Sequence, residues 1–157
     1  MKLGNKLPDD AMELGYNFSP TFFGTGQEMA NNLFSELQNN GYALTIEDVE
    51  GATLNAMRTY ASLAVMYVQQ QSNEPIILSL DTMLESGEYE MIRPYLRAYC
   101  DLENARLFDA SKSMGTDGFV TDESTARQTL SDELDKLKFN AYFEPPMMLT
   151  KANKKAF

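Results

Sequence analysis

The chain has no histidine among its 157 residues and a single cysteine, Cys100. Histidine has the unperturbed pKa nearest to neutrality and is the most frequent metal ligand among the side chains. Its absence excludes the Ser-His and Cys-His pairs of nucleophilic enzymes and zinc sites with histidine ligands. A single cysteine excludes an internal disulfide, so we expect synthesis in a reducing cytoplasm and a small, buried Cys100.

Long apolar runs are also missing, since none approaches the roughly 20 residues that a transmembrane helix needs. The first residues are followed by Asp9, Asp10 and Glu13 instead of the apolar stretch of a signal peptide. Hydrophobic residues make up 43% of the chain and charged residues 23%, which is typical of a globular protein. The composition therefore predicts one globular domain and no membrane partner.

Basic residues are scarce, because 13 Lys and Arg stand against 23 Asp and Glu, for a net charge of −10. Three of these lysines, Lys151, Lys154 and Lys155, lie in the last seven residues. A negative field opposes contact with nucleic-acid phosphates, so no sequence-specific nucleic-acid binding is expected. Such charge keeps a protein soluble, and it is also the charge that a mimic of DNA would carry.

The acidic residues form no recognisable catalytic or metal-binding pattern. Asp101 and Glu103 are two positions apart, roughly 200° around a helix, and cannot share a site. Arg97 precedes Asp101 by four positions, which predicts a solvated ion pair on a helix surface. In the loop from Asp109, Met114 stands where a calcium loop needs glycine, so this match fails. We predict no catalytic, metal-binding or cofactor-binding residues, and therefore no enzyme.

Helical spacing of apolar residues predicts an all-α fold, a helical bundle of about four to five helices within residues 25–144. The first helix begins with Thr25 and Glu28, which form a predicted capping box. The second is capped by Thr45 and runs from Ile46 to about Gln69. A short helix follows over Asp81–Glu85, a third long helix over Arg93–Ser113, and a final helix from Asp122 to Pro145.

The bundle is flanked by two predicted arms. Residues 1–24 are interrupted by proline and glycine and read as an extended N-terminal arm, while residues 145–157 form a C-terminal arm with a basic tip. The aromatic side chains of the first arm must be buried, either against the chain's own bundle or on a partner. The predicted partner-binding residues are Tyr16, Phe18, Phe22, Phe23, Met147, Met148, Leu149 and Phe157.

The long helices Thr45–Gln69 and Pro94–Ser113, the second with the run YLRAYCDLENARL, together with the acidic surface and the arms, resemble a known family. The chain resembles the small head-to-tail connector (adaptor) proteins of tailed bacteriophages over about residues 42–145. This resemblance implies a helical bundle that oligomerises into a ring beneath the portal, with arms that reach onto neighbouring subunits and no catalytic residues. An acidic surface lining such a channel would repel DNA and keep it moving.

From these observations we expect a structural assembly protein of the virion, which forms a homo-oligomeric ring through its terminal arms and binds neighbouring virion proteins such as a portal. The alternative is a small acidic binding protein, either a secretion-type chaperone or an inhibitor that mimics DNA. Neither function requires a cofactor.

Overall fold

The computed structural model describes residues 21–112 and 122–142, and within these it contains five α-helices and two short β-strands. The elements in chain order are β1 (Phe22–Thr25), α1 (Gly26–Asn39), α2 (Ile46–Leu63), α3 (Tyr67–Gln71), β2 (Met83–Glu85), α4 (Ser86–Lys112) and α5 (Glu123–Tyr142). The predicted all-α bundle is confirmed, with one small two-stranded sheet added to it.

The two predicted helix starts are confirmed by their hydrogen bonds. In α1, the Thr25 hydroxyl accepts a hydrogen bond from the backbone N–H of Glu28 at 3.2 Å, and the Glu28 carboxylate accepts one from Thr25 N–H at 3.0 Å. Thr45 and Asp48 repeat this exchange at the start of α2, at 3.3 and 2.9 Å. Each capping box satisfies two backbone donors that a helix end would otherwise leave unpaired.

The second predicted helix is wrong in its C-terminal part, because α2 ends at Leu63 instead of continuing to Gln69. Ala64 adopts an extended conformation with φ −137° and ψ 158°, and the chain re-enters a helix at Tyr67. This break places the side chain of Met66 in the core, where it is 0% exposed. At the start of α3, the side chains of Gln69 and Glu88 accept hydrogen bonds from the N–H groups of Met66 and Tyr67. These bonds and the burial of Met66 compensate for the helical hydrogen bonds lost at the break.

The region before the longest helix also differs from the prediction. Where the sequence favoured a short helix over Asp81–Glu85, the structure has β2, which pairs antiparallel with β1. β1 itself comprises residues assigned to the N-terminal arm and the first helix. The longest helix, α4, begins at Ser86, so that Pro94 lies inside it. Pro94 and Glu90 are both exposed, and water can hydrogen-bond the Glu90 carbonyl that the proline leaves without a donor.

The helices run alternately up and down around one core, and contacts between distant residues fix their directions. Ala43, just before α2, donates its N–H to the Asn104 side chain at 2.9 Å, near the far end of α4. Arg106 lies 3.5 Å from the carboxylate of Glu123, which begins α5. From this pair the two helices run back side by side with the same rise per residue. The interval from Glu123 to Tyr142 equals the interval from Arg106 back to Gly87, so α5 ends level with the start of α4.

One end of the bundle therefore holds β1 and β2, the start of α1, the end of α2, α3, the start of α4 and the end of α5. We call this the hairpin end. The word hairpin here means the antiparallel pair of β1 and β2, although three helices separate these strands in the sequence. The core between the helices contains aliphatic residues, alanines, methionines and two tyrosines, and its fully buried members include Met29, Leu37, Val49, Met57, Tyr60, Leu84, Ile92, Leu96 and Cys100. The final helix is predicted from its helical spacing of apolar residues, and these residues form its inner face: Ala126, Leu137 and Ala141 are buried, and Leu130 and Leu134 pack beside them.

The opposite end is held by polar contacts. Arg97 pairs with Glu36 of α1 at 2.5 Å and with Asp101 at 3.4 Å, and the Tyr42 hydroxyl donates to Asp101 at 2.5 Å. The predicted surface pair of Arg97 and Asp101 is thus part of a half-buried network between α1, the α1–α2 loop and α4. Burial and the Asp101 carboxylate raise the pKa of Tyr42, so its hydroxyl keeps the proton that it donates.

Two glycines test how tightly the start of α1 packs. A Cβ atom at Gly26 would lie 2.7 Å from the Met57 sulfur and 3.2 Å from the Leu80 carbonyl oxygen, whereas one at Gly51 would meet nothing within 4 Å. We expect Gly26→Ala to lower the free energy of unfolding by about 1–3 kcal/mol through overpacking. Gly51→Ala, inside α2, should raise it by about 0.5–1 kcal/mol. Urea unfolding measures both, and equal effects would contradict this packing.

Candidate functional site

The hairpin end carries most of the large apolar side chains that the described residues expose. Such side chains are Phe22, Leu63, Val65, Ile77, Met83, Leu107, Phe139 and Tyr142, and only Leu107 lies toward the opposite end. The exposed fraction is 57% for Val65, 43% for Phe22 and 40% for Met83. Single exposed apolar residues are ordinary, whereas their concentration at one end of the bundle makes this end the candidate interaction surface.

An open groove of about 540 Å³ lies within this surface, between the hairpin and α3. Its lining residues are Phe22, Tyr67, Val68, Gln71, Ser72 and Met83. The Phe22 ring meets the Tyr67 ring edge to face, with their centroids 5.2 Å apart. The groove is wide open to solvent, and its mainly apolar lining suits apolar side chains of a partner better than a polar ligand.

One carboxylate positions both walls of the groove. Glu88 is 3% exposed, and its Oε1 accepts a hydrogen bond from the backbone N–H of Tyr67 at 2.6 Å. Its Oε2 accepts from the N–H of Glu85 at 2.8 Å, so the same side chain caps α4 and ties α3 to β2. Gln69 completes the start of α3 by accepting from Met66 N–H at 2.8 Å. The carboxylate of Glu88 thus lies at the N-terminal ends of both α3 and α4.

β1 is attached to the start of α4 by two further contacts. The Thr21 carbonyl oxygen accepts hydrogen bonds from the Ser86 backbone N–H at 2.7 Å and from the Ser86 hydroxyl at 2.8 Å. The Phe23 ring stacks on the Tyr89 ring, with centroids 3.7 Å apart and planes inclined by 8°. These contacts fix Phe22 at the rim of the groove.

The stretch of chain that forms the groove is predominantly acidic. Residues 21–92 contain ten acidic residues and one basic residue, Arg58. This stretch supplies both strands, α1, α2 and α3, hence every residue that lines the groove. This excess of acidic residues can be read from the sequence alone. It is the sequence signal that could have indicated an acidic region around the groove.

Of the predicted partner-binding residues, the structure describes Phe22 and Phe23. Phe23 is half-buried on Tyr89 of its own chain, while Phe22 remains exposed at the groove. The other six, Tyr16, Phe18, Met147, Met148, Leu149 and Phe157, lie outside the described residues. The first and last described residues, Thr21 and Tyr142, are both at the hairpin end. Both predicted arms therefore attach at the end of the bundle that carries the groove. The sequence did not indicate Tyr67, Val68 and Met83 as site residues.

Two features of the described residues bear on reaction chemistry. Within residues 21–112 and 122–142, no three His, Cys, Asp or Glu side chains are grouped so that they could hold a metal ion. The expected burial of Cys100 is confirmed, and burial together with the neighbouring Asp101 raises the pKa of its thiol to about 12. Among the described helices, none has the length and apolar character needed to cross a membrane.

No protein-family model matches the chain, and searches of curated proteins and of solved structures find no similar protein. The geometry of the hairpin end therefore supports the function proposed below.

Glu88 provides a direct test of how the groove is held. We expect Glu88→Ala to lower the free energy of unfolding by about 2–4 kcal/mol, because the N–H groups of Tyr67 and Glu85 lose their acceptor. Glu90→Ala, an exposed position one turn beyond the cap, should change it by less than about 0.5 kcal/mol. Amide hydrogen exchange should show selective loss of protection at Tyr67. Unchanged protection there would contradict the role assigned to Glu88.

The Cys100 thiol predicts a loss of stability at alkaline pH. Its pKa is 9.0 when exposed and about 12 in the folded chain, so the unfolded chain releases this proton first as the pH rises. The contribution is complete below pH 9 and decreases above it, by up to about 1.4 kcal/mol per pH unit. Urea unfolding of the protein and of Cys100→Ala between pH 8 and 10.5 should give a smaller slope for the variant. Equal slopes would show that the thiol is accessible.

Proposed function

We propose that this chain is a non-enzymatic assembly subunit that forms a homo-oligomeric ring through its hairpin end and its terminal arms. The observation that carries the proposal is the concentration of exposed apolar side chains at the one end where both arms attach. Closed rings use heterologous contacts, in which a protruding element of one subunit binds a different surface on the next. A groove beside two arms supplies both halves of such a contact.

The composition of the surface supports this proposal. A specific interface has an apolar centre and a polar rim. The hairpin end offers seven exposed apolar side chains, among them Phe22, Met83 and Val65, next to Glu85 and other polar groups. The predicted arms, residues 1–24 and 145–157, would add further area without enlarging the bundle.

The setting that we propose for this ring is the virion of a tailed bacteriophage, where the subunit would act as a head-to-tail connector in contact with a portal. The support for this finer statement is the arrangement of long helices, together with the acidic character of the chain. A ring with an acidic channel would repel the phosphates of passing DNA and would not retard it.

Solution mass tests the assembly surface. We expect the full-length protein to form a ring, measured by light scattering after gel filtration and by negative-stain microscopy. Met83→Glu should weaken association by about tenfold or more, since it places a charge in the apolar interface. Leu107→Glu is the matched control, because Leu107 has a similar exposure, 44%, lies away from the hairpin end and receives the same charge. It should leave the ring intact.

A full-length protein that stays monomeric at all concentrations and on addition of a portal would contradict the proposal. Competition with DNA that weakens with added salt would then favour an acidic inhibitor that mimics DNA. Equal effects of the two substitutions would instead show that the hairpin end is not the interface.

A further inference from the structure

We infer that the groove between the hairpin and α3 binds residues 147–155 of the neighbouring copy of this chain. This inference rests on the proposed ring and names the contact that would close it. Three observations support it: the chemistry of the groove, the composition of the chain outside the described residues, and the place where α5 ends.

The groove and residues 147–155 have complementary chemistry. Met147, Met148 and Leu149 are consecutive apolar residues, and methionine adapts well to irregular apolar surfaces such as this lining of rings and aliphatic groups. Lys151, Lys154 and Lys155 follow without any acidic residue among them. Residues 59–92, which include α3 and β2, contain five acidic residues and no lysine or arginine. An apolar anchor followed by a basic segment thus matches an apolar groove in an acidic surface.

The other arm matches the groove less well. Residues 1–20 contain Lys2 and Lys6 but also Asp9, Asp10 and Glu13, so their charge has the same sign as the groove's surroundings. Apolar content alone would admit either arm. Charge complementarity selects the C-terminal one.

The place where α5 ends and the proposed ring together assign the segment to a neighbour. Tyr142, the last described residue of α5, is 85% exposed and lies at the end of the bundle that carries the groove. In a closed ring, a protruding element of one subunit binds a different surface on the next. We therefore assign residues 147–155 to the groove of the neighbouring copy.

Chemical cross-linking of the full-length protein tests this contact. One variant carries Ser72→Cys at the groove and a second carries Met148→Cys, and equal amounts are mixed, allowed to assemble and treated with a short bismaleimide. Native Cys100 can stay, because it is buried and its thiol is protonated at neutral pH. Gln38→Cys in place of Ser72→Cys is the control, on the exposed surface near the other end of α1. The proposal predicts a covalent dimer of the two different variants, at least tenfold above the control.

The remaining outcomes overturn the inference in distinguishable ways. A cross-link found only within a single chain, in the double variant Ser72→Cys/Met148→Cys, would show that each subunit fills its own groove. No cross-link in a sample whose solution mass is that of a ring would remove this contact and leave the proposed function standing. No cross-link in a sample that is monomeric would remove both.

The lysines give a second measurement in the same protein. Replacement of Lys151, Lys154 and Lys155 by glutamine should weaken ring formation about tenfold or more at low salt, and their replacement by arginine should not. An equal effect of both replacements, or none, would overturn the role of charge in selecting this segment.

Discussion

The bond from the Tyr67 backbone N–H to the buried carboxylate of Glu88 is the interaction on which the hairpin end depends. It gives α3 a cap after the chain has left α2, and the second oxygen of the same carboxylate holds β2 at the start of α4. A buried polar group is costly unless it is hydrogen-bonded, and here two backbone N–H groups at helix starts satisfy the two carboxylate oxygens. The break after Leu63, the burial of Met66 and the groove follow from this arrangement.

The two ends of the bundle have different chemistry. The end near Tyr42 is closed by an ion-pair and hydrogen-bond network in which Arg97, Glu36 and Asp101 satisfy one another. The hairpin end exposes apolar side chains, and both outer limits of the described residues, Thr21 and Tyr142, lie there. The proposed ring contact would therefore form at the hairpin end and leave the end near Tyr42 outside it.

The groove could be predicted only in part from the sequence. Phe22 was identified as a binding residue because aromatic side chains near a chain end must be buried somewhere, and it lies at the groove. The sequence does not indicate the other apolar residues of the groove, Tyr67, Val68 and Met83. Tyr67 and Val68 fit the predicted helix from Ile46 to about Gln69, and Met83 fits the predicted short helix over Asp81–Glu85. The acidic stretch of residues 21–92 was readable throughout, but its meaning depends on which residues the fold brings beside the apolar groove.

By itself, the sequence determined the class of fold and the features that arise from neighbours along the chain: the capping boxes at Thr25 and Thr45, the apolar face of α5 and the burial of Cys100. The tertiary structure alone decided the break between α2 and α3, the pairing of β1 with β2 and the early start of α4. The physical reason is the range of the interactions. A cap or an apolar face needs partners three or four residues away, whereas these three features depend on bonds between residues 21 to 65 positions apart.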